Sequence, residues 1–309
     1  MRKSCSLTEL EKKLLRYIVF NGAQHSDYAV AKQLRVSQTT VNYKIKKLRK
    51  AGVITGYACR INPAKVGNKI MAWVFIKVTS DININSFIDS MLGTGKVSIA
   101  MVIGGNDDVL LQVFMKNMES LHELIDAINN RFKNKMTNLK VSYVTHIDKL
   151  NQVFPVETGE AKLNKTDRQI ISYMTENPEA KIAKIAEDLE MHRNTVSSRI
   201  KKFWSEQVFL KKTAGISEQY YNDLDIGFRA LMVIDTKQGA EGRTASKISK
   251  FEQVHELTSL MGHNNLLAVI RTKNLTDCYS FIKNLYRLGL IERASTNLIF
   301  ASKTAEIRI

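Results

Sequence analysis

Ser37-Gln-Thr-Thr-Val-Asn-Tyr-Lys-Ile-Lys-Lys-Leu-Arg-Lys-Ala-Gly52 is the stretch on which the reading of this chain turns. Ser37 is a good N-cap. Val41, Ile45 and Leu48 recur at helical spacing and predict an inner stripe for a helix from Gln38 to about Lys50, which Gly52 ends. Everything else on that helix is polar or basic and must lie largely outside the stripe. Short donors and acceptors come first, in Gln38, Thr39 and Asn42, with Tyr43 beside them. The cations Lys44, Lys46, Lys47, Arg49 and Lys50 follow. Base edges in a major groove need groups of the first kind near a helix start. The phosphates that flank the groove need the second kind farther along.

The residues upstream supply the frame for such a helix. Thr8 followed by Glu11 is a capping-box pattern, and Leu10, Leu14 and Ile18 carry an amphipathic helix to about Phe20, ended by Asn21-Gly22. A second, short helix is expected from about Ser26 to Leu34, burying Val30 and Leu34, with Arg35-Val36 as the turn. Downstream, Val53–Tyr57 and Cys59–Ile61 predict a small hairpin, or wing. Three short helices with a tight turn before a basic third one describe a helix-turn-helix.

Charge is concentrated on this head. The 309-residue chain has a formal net charge of +16. Residues 1–70 hold 15 Lys and Arg against 3 Asp and Glu, whereas residues 71–155 hold 8 of each. A charge spread only for solubility would not gather on one module, so a polyanion partner is indicated. Apolar residues make up 44% of the chain, enough for ordinary folded cores. The cysteines Cys5, Cys59 and Cys278 are widely spaced and odd in number, which fits neither a disulfide framework nor a paired metal site. No apolar run approaches the roughly 18 residues of a membrane span, and the start of the chain has no signal-peptide core. The expectation is a soluble, cytoplasmic protein that is associated with the nucleoid and binds no membrane.

The head occurs twice. Leu7–Leu14 resembles Leu163–Ile170, and Val30–Leu34 resembles Ile185–Leu189. Thr40-Val41 with Ile45-Lys46-Lys47 matches Thr195-Val196 with Ile200-Lys201-Lys202, and Gly105–Leu110 matches Gly262–Leu267. An offset that stays between 155 and 158 marks a tandem duplication. The joint is a linker near Lys149–Lys162, which contains Pro155 and Gly159. In the second head a helix from about Arg193 to Ser205 keeps Val196, Ile200 and Phe203 inside and places Arg193, Asn194, Ser197, Arg199, Lys201 and Lys202 outside. Glu187, Asp188 and Glu190 lower its local potential, and Gln207 stands where the first head has Gly52. Weaker DNA binding, or a different half-site, is therefore expected of it.

Behind each head the pattern changes to strands. Lys69–Thr79, Val97–Ile103, Val109–Met115 and Val141–Ile147 read as strands, with helices at about Asn85–Met91 and at 118–133. The order is βαββαβ, a ferredoxin-like split βαβ. The second half repeats it, with strands at Ala230–Asp235, Val254–Leu260, Leu266–Arg271 and Asn297–Ala301 and helices at Thr244–Phe251 and Leu275–Tyr286. The predicted class is α+β, with two repeats of a winged helix-turn-helix domain followed by a ferredoxin-like domain. The predicted segments are 1–65, 66–150, a linker at 151–162, 163–226 and 227–309.

A helix-turn-helix joined to such a domain, with a Gly-x-x-Asp turn before an aliphatic strand, resembles the Lrp/AsnC (feast/famine) regulators of bacteria and archaea. The helix Thr40–Leu48 followed by Gly52-Val-Ile54 is the most specific segment of the likeness. The resemblance implies a sequence-specific regulator of transcription on double-stranded DNA. It implies tail domains that pair through their sheets and build larger homo-oligomers. It also implies that an amino acid or similar effector can bind between tails near Gly105 and Asp108. The chain departs from the family in fusing two units, which suggests a built-in pseudo-dimer. It departs again in placing Asn265, within Gly262-His263-Asn264-Asn265, where the acid belongs.

Enzyme chemistry is not indicated. His25, His122, His146, His192, His255 and His263 have no metal spacing, and there is no dinucleotide fingerprint, Walker loop, nucleophile elbow or zinc-protease motif. No cofactor and no metal are expected. Two other readings compete. Sirohaem decarboxylases resemble the same family in fold and occur as paired halves, but would be expected to have lost a DNA-reading third helix. An architectural DNA coat would share the charge and show a specificity ratio near one.

Overall fold

The computed structural model describes residues 6–23, 27–153, 156–262 and 265–305. Cys5, His25, Ser26, Pro155, His263 and Asn264 lie outside the described residues. The first half runs α1 (Glu9–Asn21), α2 (Asp27–Leu34), α3 (Gln38–Lys50), β1 (Ile54–Ile61), β2 (Ile70–Val78), α4 (Ile84–Leu92), β3 (Val97–Ile103), β4 (Val109–Met115), α5 (Met118–Phe132) and β5 (Met136–Lys149). The second half follows in the same order, with α6 (Lys165–Glu176), α7 (Ile182–Asp188), α8 (Arg193–Ser205), β6 (Phe209–Ile216), β7 (Phe228–Thr236), α9 (Glu241–Ile248), β8 (Val254–Leu260), β9 (Leu266–Thr272), α10 (Leu275–Tyr286) and β10 (Ile291–Thr304). Left-handed residues recur at the duplication's offset, as Arg35 and Glu190, Gly52 and Gln207, Gly67 and Asp225, and Gly105 and Gly262. The repeat is thus one of backbone geometry as well as of sequence.

By contact the chain falls into two compact units. The first gathers both helical heads: Met1–Arg60 and Lys165–Phe228, with Arg271–Phe281. One apolar core in it mixes the two halves, joining Leu14, Leu15, Ile18, Val30, Val41 and Leu48 to Ile216, Tyr220, Leu224 and Ile226. Full burial of such a side chain contributes roughly 1.5–3 kcal/mol, so the first head is stabilised substantially by residues about 200 positions away.

The expected hairpin after α3 is not formed. Val53–Tyr57 and Cys59–Ile61 belong to one continuous strand, β1, whose partner is β6 of the second half. The two run in opposite directions, since Ser217 N donates to Val53 O and Thr213 Oγ1 to Ala58 O. Gly56 has no reason to turn when a neighbouring strand already satisfies the edge. Gly215 of β6 passes so close to Thr55 that a Cβ there would come 2.6 Å from Thr55 Oγ1.

The second unit holds the eight remaining strands in a closed barrel, ordered β10-β3-β4-β2-β5-β8-β9-β7. Each half contributes four strands in ferredoxin-like order. The expected pair of βαββαβ sheets is present, but joined edge to edge, which removes every exposed edge. The last strand of each half is longer than the sequence pattern suggested because it serves two neighbours. Residues 136–143 of β5 pair with β2 and residues 144–149 with β8. Residues 291–298 of β10 pair with β7 and residues 299–304 with β3. In the first half, Phe87, Ile88 and Met91 of α4 and Leu121, Leu124 and Ile128 of α5 cover Ala72, Val74, Ile76, Val109, Leu111 and Val113.

Candidate nucleic-acid interface

The head begins at Thr8, whose Oγ1 accepts from Glu11 N at 3.4 Å while Glu11 Oε2 accepts from Thr8 N at 2.9 Å. The capping box is complete. The other carboxylate oxygen of Glu11 has a separate task. Oε1 accepts from Lys44 Nζ and from Lys47 Nζ, each at 3.0 Å, with Glu11 only 1% exposed. Burial pushes this carboxyl up, but the Thr8 backbone N–H and the two ammonium groups outweigh it and hold the pKa at about 2. The third helix is thereby tied to the first by a buried anion.

That tie decides which cations α3 offers outward. Lys44 turns inward, its side chain 18% exposed, and Lys47 shares its charge with Glu11. Arg49 pairs with Glu179 at 2.6 Å and lies over the Tyr57 ring. Gln38, Thr39, Tyr43, Lys46 and Lys50 are exposed, and Asn42 is half-buried. Ser37 caps the helix as expected, its Oγ accepting from Thr40 N at 3.0 Å. The exposed set forms a polar start and a basic end.

The second head repeats the device with other residues. Arg199 of α8 hydrogen-bonds the buried Asp167 of α6, the positions that correspond to Lys44 and Glu11. Arg193, Asn194, Lys201 and Lys202 are exposed and Ser197 is half-buried. Lys202 lies 3.9 Å from Glu206. Between the heads, Lys211 of β6 donates to Val19 O at 2.5 Å and to Phe20 O at 2.9 Å, closing the carbonyl end of α1. Arg16 donates to Leu224 O at 2.7 Å and pairs with Asp225 at 3.0 Å. Asp167, Glu179 and Lys211 were not singled out from sequence, and Glu11 was read there only as half of the capping box. The one available signal was an acid at the same place in both first helices.

In the second unit, Gly105 has φ +110, and a Cβ there would strike Asn297. Asp108 accepts from Lys77 Nζ at 2.9 Å and from Val78 N at 3.0 Å, so both of its oxygens serve the turn. In the second half Asp235 stands where the first has Lys77, and is paired with Arg293 at 2.8 Å. Without a cation to meet, Asn265 performs the same closure neutrally, accepting from Thr236 N at 2.7 Å. Among the described residues, no group of three or more His, Cys, Asp or Glu could hold a metal ion, and no helix is long and apolar enough to cross a membrane.

The model of the AsnC-type helix-turn-helix domain matches residues 163–203. Among curated proteins, an HTH-type transcriptional regulator of Pyrococcus furiosus is 29% identical over 119 residues, 38% of this chain and 79% of its own length. Another, of Pyrococcus abyssi, is 26% identical over 149 residues, 48% of this chain and 97% of its own. The leucine-responsive regulatory protein of Rhizobium meliloti is 27% identical over 121 residues, 38% of this chain and 77% of its own. Over these stretches the chain is similar in sequence to Lrp/AsnC regulators. Each Lrp/AsnC alignment takes up less than half of this chain and most of the relative. A solved structure, that of the siroheme decarboxylase NirDL with an iron-uroporphyrin III analogue, covers 97% of this chain and 94% of its own with TM-score 0.63 and 13% identity. At that identity the likeness speaks for the fold alone.

Proposed function

We propose that this chain is a transcription regulator that binds double-stranded DNA in a sequence-specific way. The observation that carries the reading is the outward face of α3, where Gln38, Thr39, Asn42 and Tyr43 precede Lys46 and Lys50 in a head closed by a buried ion pair. The first four read base edges, and the two free lysines hold phosphates, with Lys47 contributing what Glu11 leaves of its charge. The chain divides into 1–65, 66–150, 151–162, 163–226 and 227–309. This makes two modules of a winged helix-turn-helix and a ferredoxin-like (RAM-type) domain, in which the strand pair β1 and β6 stands in for two separate wings.

The two heads are chemically unlike. Arg193 and Asn194 take the places of Gln38 and Thr39. An arginine favours guanine, whereas Gln and Asn favour adenine. The operator is therefore unsymmetrical. An amino acid or similar effector acts near Gly105 and Asp108, and further copies of the chain assemble through the tails. The test is affinity for duplex DNA at several salt concentrations, with intact protein and with Lys46→Ala/Lys50→Ala. A steep negative slope of log affinity on log salt, about −0.9 per phosphate contact and shallower in the variant, supports the reading. Weak, salt-insensitive binding refutes it.

The near full-length likeness to NirDL favours a second reading, a tetrapyrrole-binding protein of paired halves. An absorbance titration with an iron porphyrin separates the two, since saturable binding at one per chain together with salt-insensitive DNA binding selects the second.

A further inference from the structure

The two halves of the barrel meet through surfaces that are not copies of each other. On β3 and β4, Ile99 stands opposite Gln112, just past an irregularity that follows Val97. On β8 and β9, Glu256 stands opposite Val269, just past the matching irregularity after Val254. These registers are the same place in the two halves, with the polar residue moved from one strand to the other. The counterpart of Gln112 is Val269, and the counterpart of Glu256 is Ile99.

The two polar residues meet. Gln112 Nε2 donates to Glu256 Oε2 at 2.7 Å, and Ser98 Oγ donates to Gln112 Oε1 at 2.6 Å. Beside them Trp73 Nε1 donates to Thr258 Oγ1 at 3.0 Å. Gln112 and Glu256 are 2% and 1% exposed, and Trp73 and Thr258 are fully buried. This second bond is also between non-equivalent places. Trp73, opposite Ser142, corresponds to Leu231, opposite Asn297. Thr258, opposite Leu267, corresponds to Met101, opposite Leu110.

We propose that this buried chain of hydrogen bonds selects the partner of each half-barrel, which is the unlike half and not a second copy of itself. If two first halves paired, each Gln112 would face Ile99 and each Trp73 indole N–H would face Met101. If two second halves paired, each Glu256 would face Val269 and each Thr258 would face Leu231. Every one of these groups would lose its cross-half partner at a buried position, Thr258 keeping only its 3.5 Å contact with Leu267 O, and a buried polar group left unpaired costs more than a formed hydrogen bond gains. Pairing the unlike halves gives each of them a cross-half partner at once. A polar group that is tolerable in only one pairing is a recognised means of fixing which partner is accepted.

The test uses the whole chain with a protease site inserted at Gly159, an exposed position with open space around it. The purified protein is cut there, unfolded in urea and refolded, and its pairs are counted by native mass spectrometry. The cut parent protein is expected to give unlike pairs only. Gln112→Leu with Glu256→Leu removes the penalty on like pairing at this place, and like pairs are expected to appear, held below the random half by the Trp73–Thr258 bond that remains. Glu256→Leu alone should release second-half self-pairs and not first-half ones. Gln112→Glu with Glu256→Gln rebuilds the bond in reverse and should keep unlike pairing exclusive. The proposal is overturned by like pairs in the cut parent, by cut halves that do not pair, by exclusive unlike pairing in both leucine variants, or by loss of exclusivity in the exchanged one.

Discussion

Replacing Glu11 by Gln leaves two lysine ammonium groups facing a neutral amide at the root of the first head. Glu11 has its pKa lowered from 4.5 to about 2. Each pKa unit is worth about 1.4 kcal/mol, so the carboxylate contributes on the order of 3 kcal/mol to folding above the unfolded pKa. The amide keeps one acceptor for Lys44 or Lys47 and part of the cap, so a loss of about 2 kcal/mol is expected for Glu11→Gln at pH 7. The sign with pH follows from a depressed carboxyl. Its contribution is complete above about pH 5 and disappears as the pH falls toward about 2. Thermal unfolding followed by circular dichroism should show the variant melting about 5–10 °C below the parent at pH 7, with the gap closing on acidification. Equal melting temperatures at pH 7, or a gap that persists unchanged at pH 2, would refute the assignment of Glu11 as the anion that seats α3.

Three further outcomes follow from the geometry of the heads. Asn42→Ala should cost on the order of 1–3 kcal/mol in discrimination between operator and altered sites if its amide makes a bidentate contact, read as a ratio of affinities at fixed salt. Lys46→Ala should weaken all DNA sequences alike and lower the salt slope by about one, and a change confined to specificity would show that it reads bases instead. Glu190, exposed and at φ +52, holds the left-handed turn after α7 that costs a side chain backbone strain, so Glu190→Gly should raise stability by up to about 1 kcal/mol in denaturant unfolding, and a loss would refute the strain.

Much of the local structure was legible in the chain. The periodicity of Val41, Ile45 and Leu48 located α3, and Ser37 and Thr8 cap their helices as their residue types require. Strands such as Val97–Ile103 and Val109–Met115 were marked by aliphatic runs between turn residues. The outward residues of α3 and α8 followed from the same periodicity, except Lys44 and Arg199, which turn inward onto Glu11 and Asp167. The charge partners did not. Lys44, three residues after Val41 and four before Leu48, borders the inner stripe and Lys46 does not, but only the helix crossing brings Glu11 to meet it. Residues 53–61 suggested a hairpin because a strand edge with no visible partner is most simply closed by itself.

The sequence by itself determined the repeat, the type and order of the elements apart from β1 and β6, the caps of α1 and α3, and the concentration of charge on the first head. Those properties depend on neighbours within a few positions, where backbone geometry and side-chain spacing act directly. Tertiary structure decided that β1 pairs with β6, that β5 and β10 each bridge two sheets, and that Gln112 finds Glu256. It also decided which cations remain free to meet a phosphate. A strand edge and a buried charge accept whatever partner the fold brings within about 3 Å, and that partner stands 33 residues away for Glu11 and Lys44 and 144 for Gln112 and Glu256.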